Sequence, residues 1–416
     1  MPIRHARVTS VPGAADLFPG RRFSSNRAAM RIDVDILERV RAAMGLEGAP
    51  SGHRVVVAMS GGVDSTVTAG LLKAAGYEVA GVTLRLYADA EAERKRKSCC
   101  AGRDILDARI AADRLGIPHH VFDLEERFRR DVVEAFADSY VRGETPVPCV
   151  ECNRTVKFGD LLARTRELGA SALVTGHYVA SRRLEDGRRG LFTPADMARD
   201  QSYFLYATTQ EQVDFLRFPL AEFTKDEVRA LGRALGLEVA DKPASQDICF
   251  VPPEGYRALL RRLRPEAGRP GAIVHVDGRE LGRHDGILNY TVGQRRGLGV
   301  AVGEALYVVE LDAARNRVVV GPREVLARRD IRLREMNWLG DAPLPFGKGD
   351  GLSIYVKIRS TRPAAPARIW REDDGTVRVR LKTPEYGVSP GQACVCYTAP
   401  GAGSRILGGG VIDATK

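Results

Sequence analysis

The segment that most limits how this chain can fold lies early. Five apolar residues, Val55-Val56-Val57-Ala58-Met59, run into Ser60-Gly61-Gly62-Val63-Asp64-Ser65 and then into a helical stretch that reaches Ala75 and is closed by Gly76. A strand that passes through paired glycines into a helix opens a parallel sheet, because the next strand can pair with the first only after a crossover. The pattern recurs. Val79–Leu84 reads as a strand, and after a polar loop near residues 88–98 a helix runs through Ala108 and Leu115. Gly116-Ile117-Pro118 then leads into the strand His120-Val121-Phe122. Leu161–Gly169 as helix precedes Ala172–Thr175 as strand, ending at Gly176-His177, and residues 224–241 form one more amphipathic helix with its stop at Gly236. Strands alternating with helices predict an α/β fold built on a doubly wound parallel sheet.

A chain of 416 residues exceeds what one core usually fills, so two or three domains are expected. The sheet domain is placed at residues 53–250. Past that point a short helix, Gly255–Leu263, gives way to Gly-rich short strands such as Ala272–Val276, with Asp277-Gly278 as a hairpin signal, so residues 251–327 read as a small mixed central domain. Residues 328–416 are all strand and turn and read as a C-terminal β-barrel. Residues 1–52 are an N-terminal extension, partly disordered; up to Met30 it is Arg-rich and nearly free of acid, which fits a disordered leader, a transit peptide or a true start at Met30. No apolar run approaches the roughly 20 residues of a membrane span. A net charge of +10 suits a polyanionic partner, or is simply a solvated surface. An odd number of cysteines and no signal peptide point to a reducing compartment, the cytoplasm.

Ser60–Ser65 sits where a strand ends and a helix begins, so unpaired backbone N–H groups and the helix dipole favour an anion. Paired glycines let the backbone approach phosphate oxygens, Ser60 and Ser65 offer hydroxyls, and Asp64 can hold Mg²⁺ or orient the leaving group. The plain alternative is an ordinary strand-to-helix turn. The segment lacks the Gly-Lys-Ser/Thr ending of a Walker loop. It resembles the PP-loop of the N-type ATP pyrophosphatases, which use ATP to adenylate a carbonyl oxygen; the loop by itself does not choose among them.

Two cysteine segments narrow the choice. Pro146-Val147-Pro148-Cys149-Val150-Glu151-Cys152-Asn153-Arg154 places two thiols in a Pro-stiffened loop ahead of a helix, where the dipole with Arg154 and Lys157 would favour thiolate. Ser245-Gln246-Asp247-Ile248-Cys249-Phe250 presents another thiol far downstream. Together with Thr175-Gly176-His177-Tyr178 and Asp200-Gln201-Ser202-Tyr203, these resemble the tRNA-specific 2-thiouridylase family, from about residue 54 onward. The resemblance implies that ATP adenylates O2 of the wobble uridine and that a persulfide on Cys249, loaded by an upstream sulfur carrier, delivers sulfur to C2. Cys152 then either attacks the persulfide to release sulfide or resolves the enzyme as a Cys152–Cys249 disulfide. It further implies a tRNA with an unmodified wobble uridine as partner and a monomeric enzyme. The family has Asp where this chain has Cys149. Cys149, Cys152 and Cys249 therefore also suit a [4Fe–4S] cluster, and a zinc site would need Cys99 or Cys100 as well. Cys394 and Cys396 alternate along a strand and read as packing residues.

By the same resemblance the nucleotide site comprises Ala58, Met59, Ser60, Gly61, Gly62, Val63, Asp64, Ser65, Leu84 and Gly176, all at carboxyl ends of strands. Cys152, Cys249 and Asp64 are the expected catalytic residues. The target base is expected at Val147, Pro148 and Cys149. Further tRNA contacts fall on His177, Arg199, Asp200, Gln201, Arg359, Ser360 and Gln392. The rival readings are an ATP-dependent ligase with the same loop and a non-catalytic RNA-binding or sulfur-carrier protein.

Overall fold

The computed structural model describes residues 32–87, 102–243, 247–300, 302–349 and 351–415. Expectations that fall on residues 1–31, on Cys99 and Cys100 and on residues 244–246 lie outside the described residues.

The first unit is a five-stranded parallel sheet in the order β3-β2-β1-β4-β7, with β1 Arg54–Ala58, β2 Glu78–Arg85, β3 His119–Asp123, β4 Ala172–Thr175 and β7 Leu216–Arg217. Val55, Val56 and Val57 are all fully buried, as expected of a central strand covered on both faces. Val55 and Val57 pack with Val67, Leu71 and Leu231 on one side, and Val56 packs with Phe158, Leu161 and Leu173 on the other. Between β4 and β7 an antiparallel hairpin, β5 Ala180–Arg183 with β6 Arg189–Phe192, stands apart from the main sheet. It is too short and too charged to have been read from periodicity.

Two elements differ from the sequence reading. The N-terminal extension carries a helix not read from the sequence, Val34–Met44, that packs into the core: Val40 and Met44 are fully buried in the same cluster as β1. Asp33 caps it by accepting from Asp35 N, and Gly45 at φ 53° ends it. The buried Arg217 donates from Nε to Met44 O at 2.6 Å, and Arg39 pairs with Glu227 at 3.2 Å. The apolar stripe is broken by Arg and Glu, which hides it in the sequence. Second, Cys149 and Cys152 are not in a loop. Residues 148–167 form one helical run, Pro148–Glu151, a π-helical stretch Cys152–Leu161, and Leu162–Glu167. Pro148 suits a first helical turn, and Val150, Val156, Phe158 and Leu161 supply the buried face.

The central unit is a four-stranded sheet ordered β10-β11-β8-β9, with β8 Gly271–His275, β9 Glu280–His284, β10 Tyr307–Asp312 and β11 Arg317–Gly321. Gly278 at φ 94° makes the tight turn between β8 and β9. The last unit is a closed six-stranded barrel, β12-β15-β14-β13-β16-β17, formed by β12 Ala327–Trp338, β13 Leu352–Lys357, β14 Ala365–Arg371, β15 Val377–Tyr386, β16 Ala393–Tyr397 and β17 Ile406–Thr415. Closure removes every exposed edge. Cys394 and Cys396 are fully buried in its core with Ile331, Val379 and Ile412. Among the described residues no helix is long and apolar enough to cross a membrane.

Candidate active site

The glycine-opened turn is built as a cradle. The helix Val63–Ala74 starts at Gly62 with no side-chain cap, so its first-turn N–H groups are left for a ligand. Ser60 N donates to Ser65 Oγ at 3.0 Å, and that hydroxyl lies 3.3 Å from Gly62 O, which closes the turn from inside. Ser60 itself is exposed. Gly61 holds φ 71°, and a Cβ on it would strike the backbone of Asp104. A Cβ on Gly176 would lie 2.7 Å from Ser65 N and 2.8 Å from Asp64 C, so the end of β4 supports the cradle only as glycine.

Asp64, in the first turn, accepts from Lys225 Nζ at 2.5 Å and from the Tyr178 hydroxyl at 3.1 Å, both on Oδ1. Lys225 is buried at the start of the helix Lys225–Ala234, which Thr224 and Glu227 fix through a reciprocal capping box. The carboxylate beside it pushes the Tyr178 hydroxyl further up after burial has raised it. Lys242 straps the outer side: its Nζ donates to Gly61 O at 3.2 Å and to Asp104 and Asp107 at 2.7 Å each. Neither lysine was expected from the sequence, although the Thr224-x-x-Glu227 cap was a readable signal for where Lys225 begins a helix.

The two thiol segments come together at the exit of β2. Cys249 is exposed, and its Sγ lies 2.8 Å from the Tyr87 hydroxyl. Phe250 packs against a cluster that contains Cys152, Leu84, Tyr87, Phe128 and Val156. Cys152 is buried, and burial pushes its thiol up to about 11 against the pull of Lys157. Cys149 opens to solvent, yet the atoms packed around it also raise its thiol, with Lys157 again opposing. The expected low-pKa pair is thus corrected: Arg154 is taken by Glu151 at 2.6 Å, and desolvation outweighs the pull of Lys157. The fourth ligand that a zinc site would need, Cys99 or Cys100, lies outside the described residues. Among the described residues no three Cys, His, Asp or Glu side chains gather closely enough to hold a metal.

Comparison with known proteins adds the family. The model described as tRNA methyl transferase HUP domain matches residues 53–253, its PRC-barrel domain matches 257–322, and an aminomethyltransferase beta-barrel domain matches 328–412. The tRNA-specific 2-thiouridylase MnmA of Azorhizobium caulinodans is 62% identical over 363 residues, covering 87% of this chain and 93% of that protein. The chain belongs to the tRNA-specific 2-thiouridylase family. The protein of the same name from Bradyrhizobium sp. strain BTAi1 is 60% identical, covering 89% and 94%. Among solved structures, the U34-tRNA thiolase NcsA from Methanococcus maripaludis with its [4Fe-4S] cluster matches 56% of this chain and 70% of that one at 18% identity and a TM-score of 0.35, too slight to carry a cluster across.

Several residues that the thiouridylase pattern assigns to tRNA are engaged inside the protein. Asp200 and Lys357 of β13 form an ion pair at 2.5 Å, with side chains 3% and 8% exposed, joining the sheet domain to the barrel. Gln201 Oε1 accepts from Tyr178 N at 2.9 Å. His177 lies edge-on to Phe158 and Phe218, within 2.7 Å of Thr175 Oγ1, and burial holds its ring neutral with a pKa of about 3. Gln392 Nε2 donates to Thr145 O at 2.8 Å, and Thr145 N donates to Pro390 O, so the barrel grips the loop that leads to Val147, Pro148 and Cys149. Arg359 donates to Gly387 O, Ser360 follows it in a turn, and Arg199 is exposed.

Proposed function

We propose that this enzyme, a tRNA sulfurtransferase by family, carries out ATP-dependent 2-thiolation of the wobble uridine. The observation that carries the proposal is the position of Leu84 and Tyr87. They leave the same sheet edge as the phosphate cradle and touch both thiol segments, Tyr87 at Cys249 and Leu84 at the cluster around Cys152. Nucleotides bind at carboxyl ends of parallel strands.

In this reading MgATP lays its phosphates on the Ser60–Ser65 turn with the adenine over Leu84, and uridine O2 attacks the α-phosphorus, releasing pyrophosphate. The terminal sulfur of a Cys249 persulfide, delivered by a carrier protein, attacks C2 and expels AMP, leaving a Cys249 Sγ–S–C2 adduct. The Cys152 thiolate attacks Cys249 Sγ, the Sγ–S bond breaks, and 2-thiouridine leaves with a Cys152–Cys249 disulfide that an external thiol reduces. Because Cys152 is buried and protonated at rest, it does not compete for the sulfur before the base is bound. Val147, Pro148 and Cys149 line the base, and the enzyme works as a cytoplasmic monomer.

The test is thiolation of an unmodified tRNA with MgATP and either sulfide or a persulfide donor. Cys249→Ala and Cys152→Ala are expected to abolish persulfide-driven product, while Cys149→Ala keeps it. Wild-type protein that makes no thionucleoside and no AMP with either donor would overturn the proposal. A ligase reading predicts AMP formation that survives Cys249→Ala.

A further inference from the structure

The central unit carries a constructed pocket that the thiolation chemistry leaves unused. Residues 291–300 read Thr-Val-Gly-Gln-Arg-Arg-Gly-Leu-Gly-Val, and Gly293, Gly297 and Gly299 take φ of 88°, 72° and 76°. Gln294 braces the loop from within: Oε1 accepts from Thr291 N at 3.2 Å, and Nε2 donates to Arg296 O at 2.9 Å. Gly293 N donates to Val308 O at 2.8 Å and Val308 N donates to Gln294 O at 2.9 Å, stitching the loop to β10. A cavity of about 450 Å³ opens beside it, lined by Arg295, Gly297, Leu298, Gly299, Glu304 and Leu306.

Charge separates this loop from its surroundings. Arg279, Arg315 and Arg317 of the same unit are bound to Asp277 and Asp312. Arg295 and Arg296 are exposed, and among the described residues neither is paired with a carboxylate. Glu304 at the rim lies in the field of Arg279. The loop also reaches the barrel, since a Cβ on Gly293 would lie 3.8 Å from the Arg359 guanidinium.

We propose that the Gly293–Gly299 loop with Arg295 and Arg296 binds the sugar–phosphate backbone of the tRNA where the central unit adjoins the barrel. The proposal rests on the thiolation reading above. The Gly293 N–H is already given to Val308 O, but glycine at 297 and 299 lets the exposed backbone come close to an anion, and the planar guanidinium forks of Arg295 and Arg296 fit phosphate oxygens. A protein partner would want an aromatic or aliphatic anchor to bury. Here Leu298 is already buried in the unit's core, and residues 291–300 contain no aromatic. Such contacts add affinity and orientation without reading bases.

The experiment measures tRNA binding by the full-length enzyme, and the KM for tRNA in thiolation, across a salt series for wild type, Arg295→Ala/Arg296→Ala and Arg295→Lys/Arg296→Lys. The alanine pair is expected to weaken tRNA binding, raise KM and flatten the log–log salt slope by about 2, one for each phosphate that is no longer neutralised. The lysine pair should restore the slope. Because both positions are exposed, thermal melts should coincide, which distinguishes weaker phosphate binding from a damaged fold. An unchanged salt slope in the alanine pair, with wild type still thiolating tRNA, overturns this site alone; a wild type that neither binds nor thiolates tRNA overturns the functional reading beneath it. An alanine pair that loses only carrier-driven turnover, with normal tRNA binding and normal sulfide-driven turnover, marks a protein-docking site and also overturns the proposal.

Discussion

Lys225 Nζ and the Tyr178 hydroxyl share a single oxygen of Asp64, from 2.5 and 3.1 Å. The carboxylate that faces the phosphate cradle is therefore held in one rotamer by a buried cation and a neutral donor, so it is preorganised before any ligand arrives. Lys225→Met removes the charge and keeps the volume. Pyrophosphate release in the presence of tRNA is expected to fall by about 10²–10³-fold, the usual cost of one preorganised electrostatic contact. tRNA affinity, read by filter binding, should stay unchanged.

Two glycines of the cradle answer to different demands. Alanine at Gly176 would press on the Asp64 and Ser65 backbone, whereas alanine at Gly62 meets nothing nearer than Ser60 Oγ at 3.4 Å, at a φ of −93° that any residue adopts. Gly176→Ala is expected to lower the melting temperature. Gly62→Ala should melt like wild type and lose ATP binding, because its methyl group fills the space meant for phosphate. Calorimetric melts and ATP titrations distinguish the two.

The thiols should differ in reactivity. Iodoacetamide at pH 7.5, followed by peptide mass mapping, is expected to label Cys249 first and to leave Cys152, Cys394 and Cys396 unlabelled until the chain unfolds. Burial pushes Cys152 up to about 11, so its thiolate is scarce as well as shielded. Early labelling of Cys152 would contradict a resting state in which it is held back.

The Asp200–Lys357 pair links two domains from inside. Asp200→Ala leaves a buried ammonium without its partner, and a loss of about 3–5 kcal/mol is expected in denaturant unfolding. Replacing both, Asp200→Leu with Lys357→Met, should recover most of it.

Two half-buried imidazoles give the acid limb of stability. His177 has a pKa of about 3 and His119 of about 4, both lowered by burial, so between those values and the unfolded value near 6.5 the unfolded chain binds the extra protons. Stability is then complete above pH 6.5 and falls as pH drops toward 3, by up to about 1.4 kcal/mol per pH unit for each histidine. His177→Phe, which can keep the ring contacts with Phe158 and Phe218, should flatten that limb in pH-dependent unfolding.

The parallel sheet was legible because β1, β2 and β4 are continuous apolar runs, and the cradle because glycine and hydroxyl residues sit at one strand end. What escaped depends on tertiary partners. Lys225 and Lys242 look like any solvated lysine until Asp64, Asp104 and Asp107 are brought to them across the fold. Cys152 reads as a loop thiol because Pro146 and Pro148 suggest a break, yet Pro148 begins the helix and Leu84, Phe128 and Val156 close over the sulfur. Asp200 and Gln392 read as tRNA contacts until the sheet domain and the barrel are brought together, when Asp200 meets Lys357 and Gln392 meets Thr145.

The grip of the barrel on Thr145 spans 244 residues of sequence to Ser389 and 247 to Gln392. During synthesis, which releases the N-terminal domain first, the loop leading to Cys149 and Cys152 is without that support for the whole time the ribosome makes the central unit and most of the barrel. A nascent sheet domain can complete the Ser60–Ser65 turn early but not the bracing of the loop at Thr145. The first domain to be made thus receives its last structural support from residues that are among the last to be translated.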